Sequence, residues 1–265
     1  MNTSQAAQTL PASLGTADEV LSVAEAMDTQ YLLRRSLSEP NADIAQRQHL
    51  VDALFGDRLS KPTLDLLRDA AADDWQSSDA LAYGIRDAAV TLGWRAAVDD
   101  KSVEPARNQV LALIAAATTN LAVSTALADP SRDIADRQSL VLSLVKGASG
   151  VVGLLARSAL TDGRGVFAAN LSDALDALAA LRGHQRAAVV SAVALTPSQT
   201  NTLIAQLSRI FGSPIDLEPS VDPNVVGGIR VDVGGDVIDG SIKARLDAAR
   251  EAMSQITLKK DEEND

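Results

Sequence analysis

The chain contains no cysteine. That excludes a disulfide framework, a thiolate nucleophile and a zinc–thiolate site. Histidine is nearly as scarce: His49 and His184 are the only two, and neither has a partner at a metal-ligating spacing. Aromatic residues make up 3% of the chain against 46% hydrophobic overall, so a core must come from Ala, Leu, Val and Ile. Alanine and leucine at that density favour helix. Positive charge is short as well, with 24 Lys and Arg against 35 Asp and Glu and a net charge of −11. With no dense basic stripe, the chain is unsuited to phosphate backbones, which excludes nucleic acid as a partner, and an anionic lipid surface would repel it.

Catalytic patterns are missing too. No GxSxG elbow occurs. The acid pairs Asp73-Asp74 and Asp99-Asp100 stand in apparent connections without a companion group, so general acid–base chemistry has nothing to rest on. Trp75 and Trp94 read as packing residues at the rim of a first bundle. The N-terminal MNTSQAAQTLPASLG lacks the basic segment and apolar stretch of a secretory signal, and a cytoplasmic chain is expected. The uncharged run Leu111 to Ala128 is the one stretch to weigh against a membrane. A span takes about 20 mainly apolar residues, whereas this one carries Thr118, Thr119, Asn120, Ser124 and Thr125, so a buried helix is expected.

What the chain does have is an internal repeat. Val20 to Leu54 set against Val110 to Leu144 gives 14 identities in 35 positions without a gap. The densest part aligns LSEPNADIAQRQHLVDAL with LADPSRDIADRQSLVLSL. This predicts a duplicated helical unit. In each copy a first helix should run up to Pro40 or Pro130, since a residue before proline leaves the α region. Thr16 and Glu19 form a candidate capping box for the first copy, and Asp43 or Asp133 should cap the next helix. Further helices are expected over Thr63 to Ala72, Ala80 to Val98, Val151 to Leu160 and Val166 to Leu181.

Composition changes after Gly183. Val189, Ser191 and Val193 alternate as in a strand. TPSQ then supplies Thr196 as cap, Pro197 at the first helical position and Gln199 at the third, with Gly212 as the stop. Ile215 and Leu217, then Ile229, Val231 and Val233, alternate again. The last third is therefore a strand–helix–strand–strand–helix unit. Its final helix should carry the apolar stripe Ile242, Leu246, Ala249, Met253 and Ile256.

Five glycines, Gly227, Gly228, Gly234, Gly235 and Gly240, precede that helix. Their spacing fits neither a P-loop nor a dinucleotide fingerprint, and Asp232, Asp236 and Asp239 would repel a pyrophosphate. They read as turn residues, with Gly234-Gly235-Asp236 turning the chain after a strand.

The stretch VDPNVVGGIRVDVGGDVIDGSIKARL, Val221 to Leu246, resembles the C-terminal signature of the ATP synthase delta subunit family, which includes the mitochondrial oligomycin sensitivity conferral protein. The resemblance rests on Asp222-Pro223, Gly227-Gly228 before Ile229, Asp239-Gly240-Ser241 and Leu246. VVSAVALTPSQTNTLIAQLSRIFG and LADPSRDIADRQSLVLSL are similar to the preceding strand, helix and helical domain. The resemblance implies a non-catalytic stator subunit without cofactor or metal, peripheral on the cytoplasmic face of the cell membrane. Its helical part would receive N-terminal helices of the α subunits, and its C-terminal part would grip the membrane-anchored b stalk. Asp222, Pro223, Gly227, Gly228, Asp239, Gly240, Ser241 and Leu246 would belong to the stalk-binding motif. The alternative is a cytoplasmic helical adaptor unrelated to the synthase. The expected organisation is mainly α with a small α+β C-terminal domain: residues 1–98 a first bundle, 99–184 a second, and 185–265 the α+β domain.

Overall fold

A computed structural model describes residues 3–222, 225 and 227–240 of the chain. Contacts divide it into two compact units, Met1–Leu181 and Arg182–Asp265. The first unit is built from helices α1 (Thr3–Thr9), α2 (Leu14–Thr29), α3 (Tyr31–Ser38), α4 (Ile44–Phe55), α5 (Lys61–Ala72) and α6 (Ser78–Asp99). These are followed by α7 (Val103–Thr119), α8 (Leu121–Ala128), α9 (Ile134–Leu144), α10 (Gly150–Thr161) and α11 (Phe167–Leu181).

The element pattern follows the sequence repeat. α2 breaks into α3 at Gln30, and α7 breaks into α8 at Asn120, the aligned position. The single helix expected up to each proline is thus two helices in both copies. At the second break the run Leu111–Ala128 turns through 99°, and among the described residues no single helix is long and apolar enough to cross a membrane. The polar residues of the run explain the break: Thr118 and Thr119 hydroxyls donate back to Ile114 and Ala115 carbonyls, and Asn120 Oδ1 accepts from Ala122 N and Val123 N to cap α8. Asp43 caps α4 through Ala45 N as expected, whereas Asp133 precedes α9 without a side-chain cap bond.

The two copies overlap rather than sit end to end. α2 packs on α6 as α7 packs on α11, and α4 packs on α5 as α9 packs on α10. In the first set α1 packs on α5 and α6; in the second set the corresponding place, against α10 and α11, is taken by α6 itself. The repeat register agrees, since Ala6 and Ala7 of α1 align with Ala96 and Ala97 of α6, and all four are buried. α6 is therefore the last helix of one set and the first of the next. It is buried nearly all round, from Leu81 and Ile85 to Leu92 and Ala97, as a helix in the middle of a core must be.

One apolar core accordingly runs through both sets. The expected boundary after residue 98 falls inside α6 and divides nothing; the structure's boundary lies at 181/182. Trp94 is not a rim residue. It is fully buried, and its indole N–H donates to the Ala174 carbonyl of α11 at 2.7 Å, tying the two sets at their shared helix. Trp75 is part-buried, with its N–H on the Ala70 carbonyl. At Gly93 an added Cβ would stand 2.9 Å from Leu154 Cδ2, so the missing side chain lets α10 come close. A polar seam supports the same junction. Arg86 on α6, 1% exposed at its side chain, pairs with Asp28 of α2 and donates to Ser158 O and Thr161 Oγ1 of α10. Arg157 of α10 reaches Asp18 and Glu25 of α2 at 2.8 and 3.1 Å.

The expected Thr16–Glu19 capping box does not form. Ser13 caps α2, its Oγ accepting from Thr16 N. Glu19 is drawn instead to the start of α5, where its Oε2 accepts from Ser60 N, Ser60 Oγ and Thr63 Oγ1 at 3.0, 2.6 and 2.6 Å. Burial pushes its carboxyl pKa up, but the hydrogen bonds from Ser60 and Thr63 outweigh that and hold it below the ordinary glutamate value.

The second unit contains β1 (Gln185–Ser191), α12 (Pro197–Phe211), β2 (Ile215–Val221), β3 (Ile229–Val233) and β4 (Asp236–Asp239). The sheet order is β2-β1-β3-β4. β1 and β2 are parallel and joined through α12, whereas β1–β3 and β3–β4 are antiparallel. Ala187, Val189, Leu217, Val231 and Val233 alternate onto one face and form a core with Leu207 of α12. The Thr196–Gln199 capping box is complete, and Gly212 ends α12 with φ +69°. β4 adds a strand to the expected arrangement, made by the Gly234-Gly235 turn. The expected helix after Gly240 lies outside the described residues.

Two outcomes follow from the shared helix and the Glu19 cap. A fragment beginning at Ser78 should unfold cooperatively with native-like helix content, whereas one beginning at residue 99, deprived of α6, should lose cooperative melting by circular dichroism. The depressed Glu19 pKa contributes stability that is complete above the unfolded-state value of about 4.3 and disappears as pH falls through the lower folded value. The melting deficit of Glu19→Gln should therefore be largest near neutrality and shrink toward pH 3.

Candidate functional site

Among the described residues no group of three or more His, Asp or Glu is placed to hold a metal ion. His49 is exposed on α4, and His184 shares a 2.8 Å contact with Asp216 in the second unit. Of the acid pairs, Asp73 accepts from the Thr3 N–H and hydroxyl at 2.8 and 2.6 Å, which fastens α1 to the end of α5.

The glycine-rich motif forms one end of the sheet. Asp222 follows β2 and donates its N–H to Ser191 O at the end of β1. Gly227 and Gly228 turn the chain into β3 with φ of +74° and +82°, a region that side chains rarely adopt. Asp239 pairs in register with Arg230, and Gly240 N donates to Ile229 O at 2.9 Å. Asp222, Gly227, Gly228, Asp239 and Gly240 thus meet around the first residues of β3, although they are separated in sequence. Pro223, Ser241 and Leu246 lie outside the described residues. At the other end, Gly234 and Gly235 have φ of +59° and +94°, and Gly235 N donates to Asp232 Oδ1; the turn expected there from the sequence closes a two-residue hairpin between β3 and β4. No phosphate cradle is formed there.

On the helical unit, apolar exposure repeats with the sequence. Ile44 and Leu54 on α4 are exposed, as are the aligned Ile134 and Leu144 on α9, while Val51 and Val141 between them are fully buried. Tyr31 and Leu121, the first residues of α3 and α8, are aligned and exposed as well. Both copies therefore present apolar side chains outward at matching places. A charged cluster lies where α10 gives way to α11. Arg164 bonds both Asp162 oxygens at 2.7–3.1 Å and both Asp87 oxygens at 2.6 and 3.1 Å. Burial pushes the Asp162 carboxyl up, but the Arg164 side chain and N–H more than offset this and hold it low.

Sequence reading missed this cluster and the Arg86–Asp28 and Arg157–Glu25 pairs, because each joins residues far apart in the chain. The one signal within reach was the alignment of the copies at α2 and α7, where Asp28 and Glu25 have Thr118 and Ala115 as counterparts. Charges present in only one copy marked a helix with an extra neighbour.

Gly228→Val places a β-branched side chain at positive φ, which costs about 1–3 kcal/mol. The variant should speed amide hydrogen exchange in β1–β4 and lower the second-unit transition in calorimetry, while the far-ultraviolet circular dichroism of the folded chain stays unchanged.

The sequence profile of the ATP synthase delta (OSCP) subunit family matches residues 94–253, beginning within the shared helix. The chain is 33% identical over 235 residues to the ATP synthase subunit delta of Cutibacterium acnes, covering 88% of this chain and 89% of that protein. It is 31% identical to that of Frankia casuarinae, over 89% and 87% of the two chains. It is 33% identical to that of Kineococcus radiotolerans, over 90% and 87%. Alignments of this length reach well into the first helical set. With two compact units, a glycine motif that shapes a sheet end, and this likeness along nearly the whole length, the chain belongs to the ATP synthase delta (OSCP) subunit family, whose members are non-catalytic structural subunits of the synthase.

Proposed function

We propose that the chain is the stator link of the peripheral stalk, holding the α/β hexamer of F1 to the membrane-anchored b subunit on the cytoplasmic face of the membrane. The helical unit takes N-terminal helices of α, and the α/β unit takes b around the sheet end built by Asp222, Gly227, Gly228 and Gly240. The observation that carries the reading is family membership combined with two separate compact units in one chain. A stator needs two grips and no chemistry, because its task is to stop the hexamer from turning with the rotor.

Helix-in-groove docking suits a unit with apolar residues left on helix surfaces, and both copies carry them at Ile44 and Leu54 and at Ile134 and Leu144. Torque also requires a stiff body. The single core through both sets, pinned by Trp94 and the Arg86 seam, leaves no hinge in the middle of the helical unit. A generic adaptor would need none of this, and membership in the synthase family removes the ground for it.

Calorimetric titration of the full chain tests the proposal, using one peptide from the N-terminal helix of α and one from the C-terminal end of b. Each should bind saturably without competing, and Gly228→Val should weaken b binding while leaving α binding unchanged. Binding of neither peptide would overturn the assignment. Cutting the chain at residue 98 is no test of which set binds α, because the cut falls in α6.

A further inference from the structure

The two helical sets differ at one place in a way that changes what they hold. In the second set an open apolar cavity of about 820 Å³ lies among α7, α8, α10 and the start of α11. Ala117, Ser124 and Ala168 line it. The repeat alignment places Met27 and Arg34 at the first two positions in the first set and Ser78 at the third, with the adjacent Asp79 opposite Ala169. There the space is filled: Met27 is fully buried, and Arg34 crosses it to pair with Asp79 at 3.0 Å while donating to the Met27 and Asp28 carbonyls. In the second set Ala117, Ser124 and Ala169 stand where Met27, Arg34 and Asp79 form that plug.

The charges around the cavity are matched except for one. Asp129 accepts from Ser131 and pairs with Arg132, and Asp162 is held by Arg164. Arg137 also lines the cavity; its Nη1 reaches the Leu127 carbonyl, its Nε is enclosed with no acceptor, and it has no carboxylate partner among the described residues. Its counterpart in the plugged set, Arg47, has the same enclosed Nε without an acceptor and donates to Asp73 O, but at 3% exposed it is sealed from any partner, whereas Arg137 is open to the cavity. At the mouth, Val166 is 70% exposed, which extends the apolar surface outward.

We infer that this cavity of the second set is a docking pocket for an amphipathic helix of another synthase subunit, one that inserts a large apolar side chain and sets a carboxylate on Arg137. The size suits an inserted side chain with its flanks, and the unmatched guanidinium selects an acidic neighbour by charge-assisted hydrogen bonding. The pocket rests on the reading of the chain as a stator subunit. It goes further in assigning one contact to the second set alone, with the first set closed by its own Arg34–Asp79 pair.

The test uses the full chain and synthase particles stripped of their delta subunit. The triple variant A117M/S124R/A169D copies the plug of the first set, and Arg137→Gln removes the cation. Both should melt close to wild type, and both should bind the stripped particles about tenfold or more weakly. Titration with 8-anilinonaphthalene-1-sulfonate, an apolar ring system bearing one anion, should show a saturable site in the wild type that the plug abolishes. If the wild type binds the particles and both variants bind equally well, the pocket is not a docking site, although the stator reading stands. Dye binding lost with particle binding unchanged assigns the pocket to small amphiphiles and overturns the partner. If the wild type itself fails to bind the particles, both readings fall. Should the triple variant unfold, Arg137→Gln decides alone, since that side chain has a single hydrogen bond to lose.

Discussion

Everything in the helical unit depends on α6 being buried on both sides. A helix at the edge of a bundle needs one apolar stripe, with the rest of its surface given to water. α6 instead turns Leu81, Ile85, Leu92 and Trp94 inward and covers much of the remainder with alanine. Small side chains let neighbouring helices approach, and Gly93 carries this to its limit beneath Leu154. Such a helix is covered on all sides only when both sets are in place. Each set of helices is therefore completed by a piece that also belongs to the other.

The polar groups in this region show the same constraint from the other side. A guanidinium as enclosed as that of Arg86 is tolerated because Asp28, Ser158 and Thr161 surround it. Those partners come from α2 and α10, one from each set. The junction is thus specified by directional bonds as well as by apolar contact, and the two sets have a single register in which the charges are met.

Much of the fold was legible in the chain itself. The Thr196–Gln199 box, the Gly212 stop and the Gly234-Gly235 turn were readable because caps and tight turns use residues within four positions of one another. The alternation of Val231 and Val233 gave a strand for the same reason. The breaks at Gln30 and Asn120 were not legible, since neither residue is a strong helix breaker and the capping role of Asn120 shows only once α8 has bent away. Glu19 was misread because its local partner Thr16 lost to Ser60 and Thr63, which lie about forty residues away. The sharing of α6 escaped a repeat search for a plainer reason: α1 is seven residues long and only its alanines keep the register. Of the sheet-end motif, the chain showed the residues, and the structure showed that Asp222, Gly228 and Gly240 meet.

The position of α6 near the middle of the helical sequence bears on how that part of the molecule comes together. Segments that dock on it arrive from both directions along the chain, so the loops to be closed are shorter than they would be for a core helix at one terminus. Loop-closure entropy rises with that separation, and folding rates fall with it. A centrally placed scaffold therefore gives a nucleus onto which α2 and α10 condense from opposite sides, and a doubled bundle acquires the contact order of a smaller one.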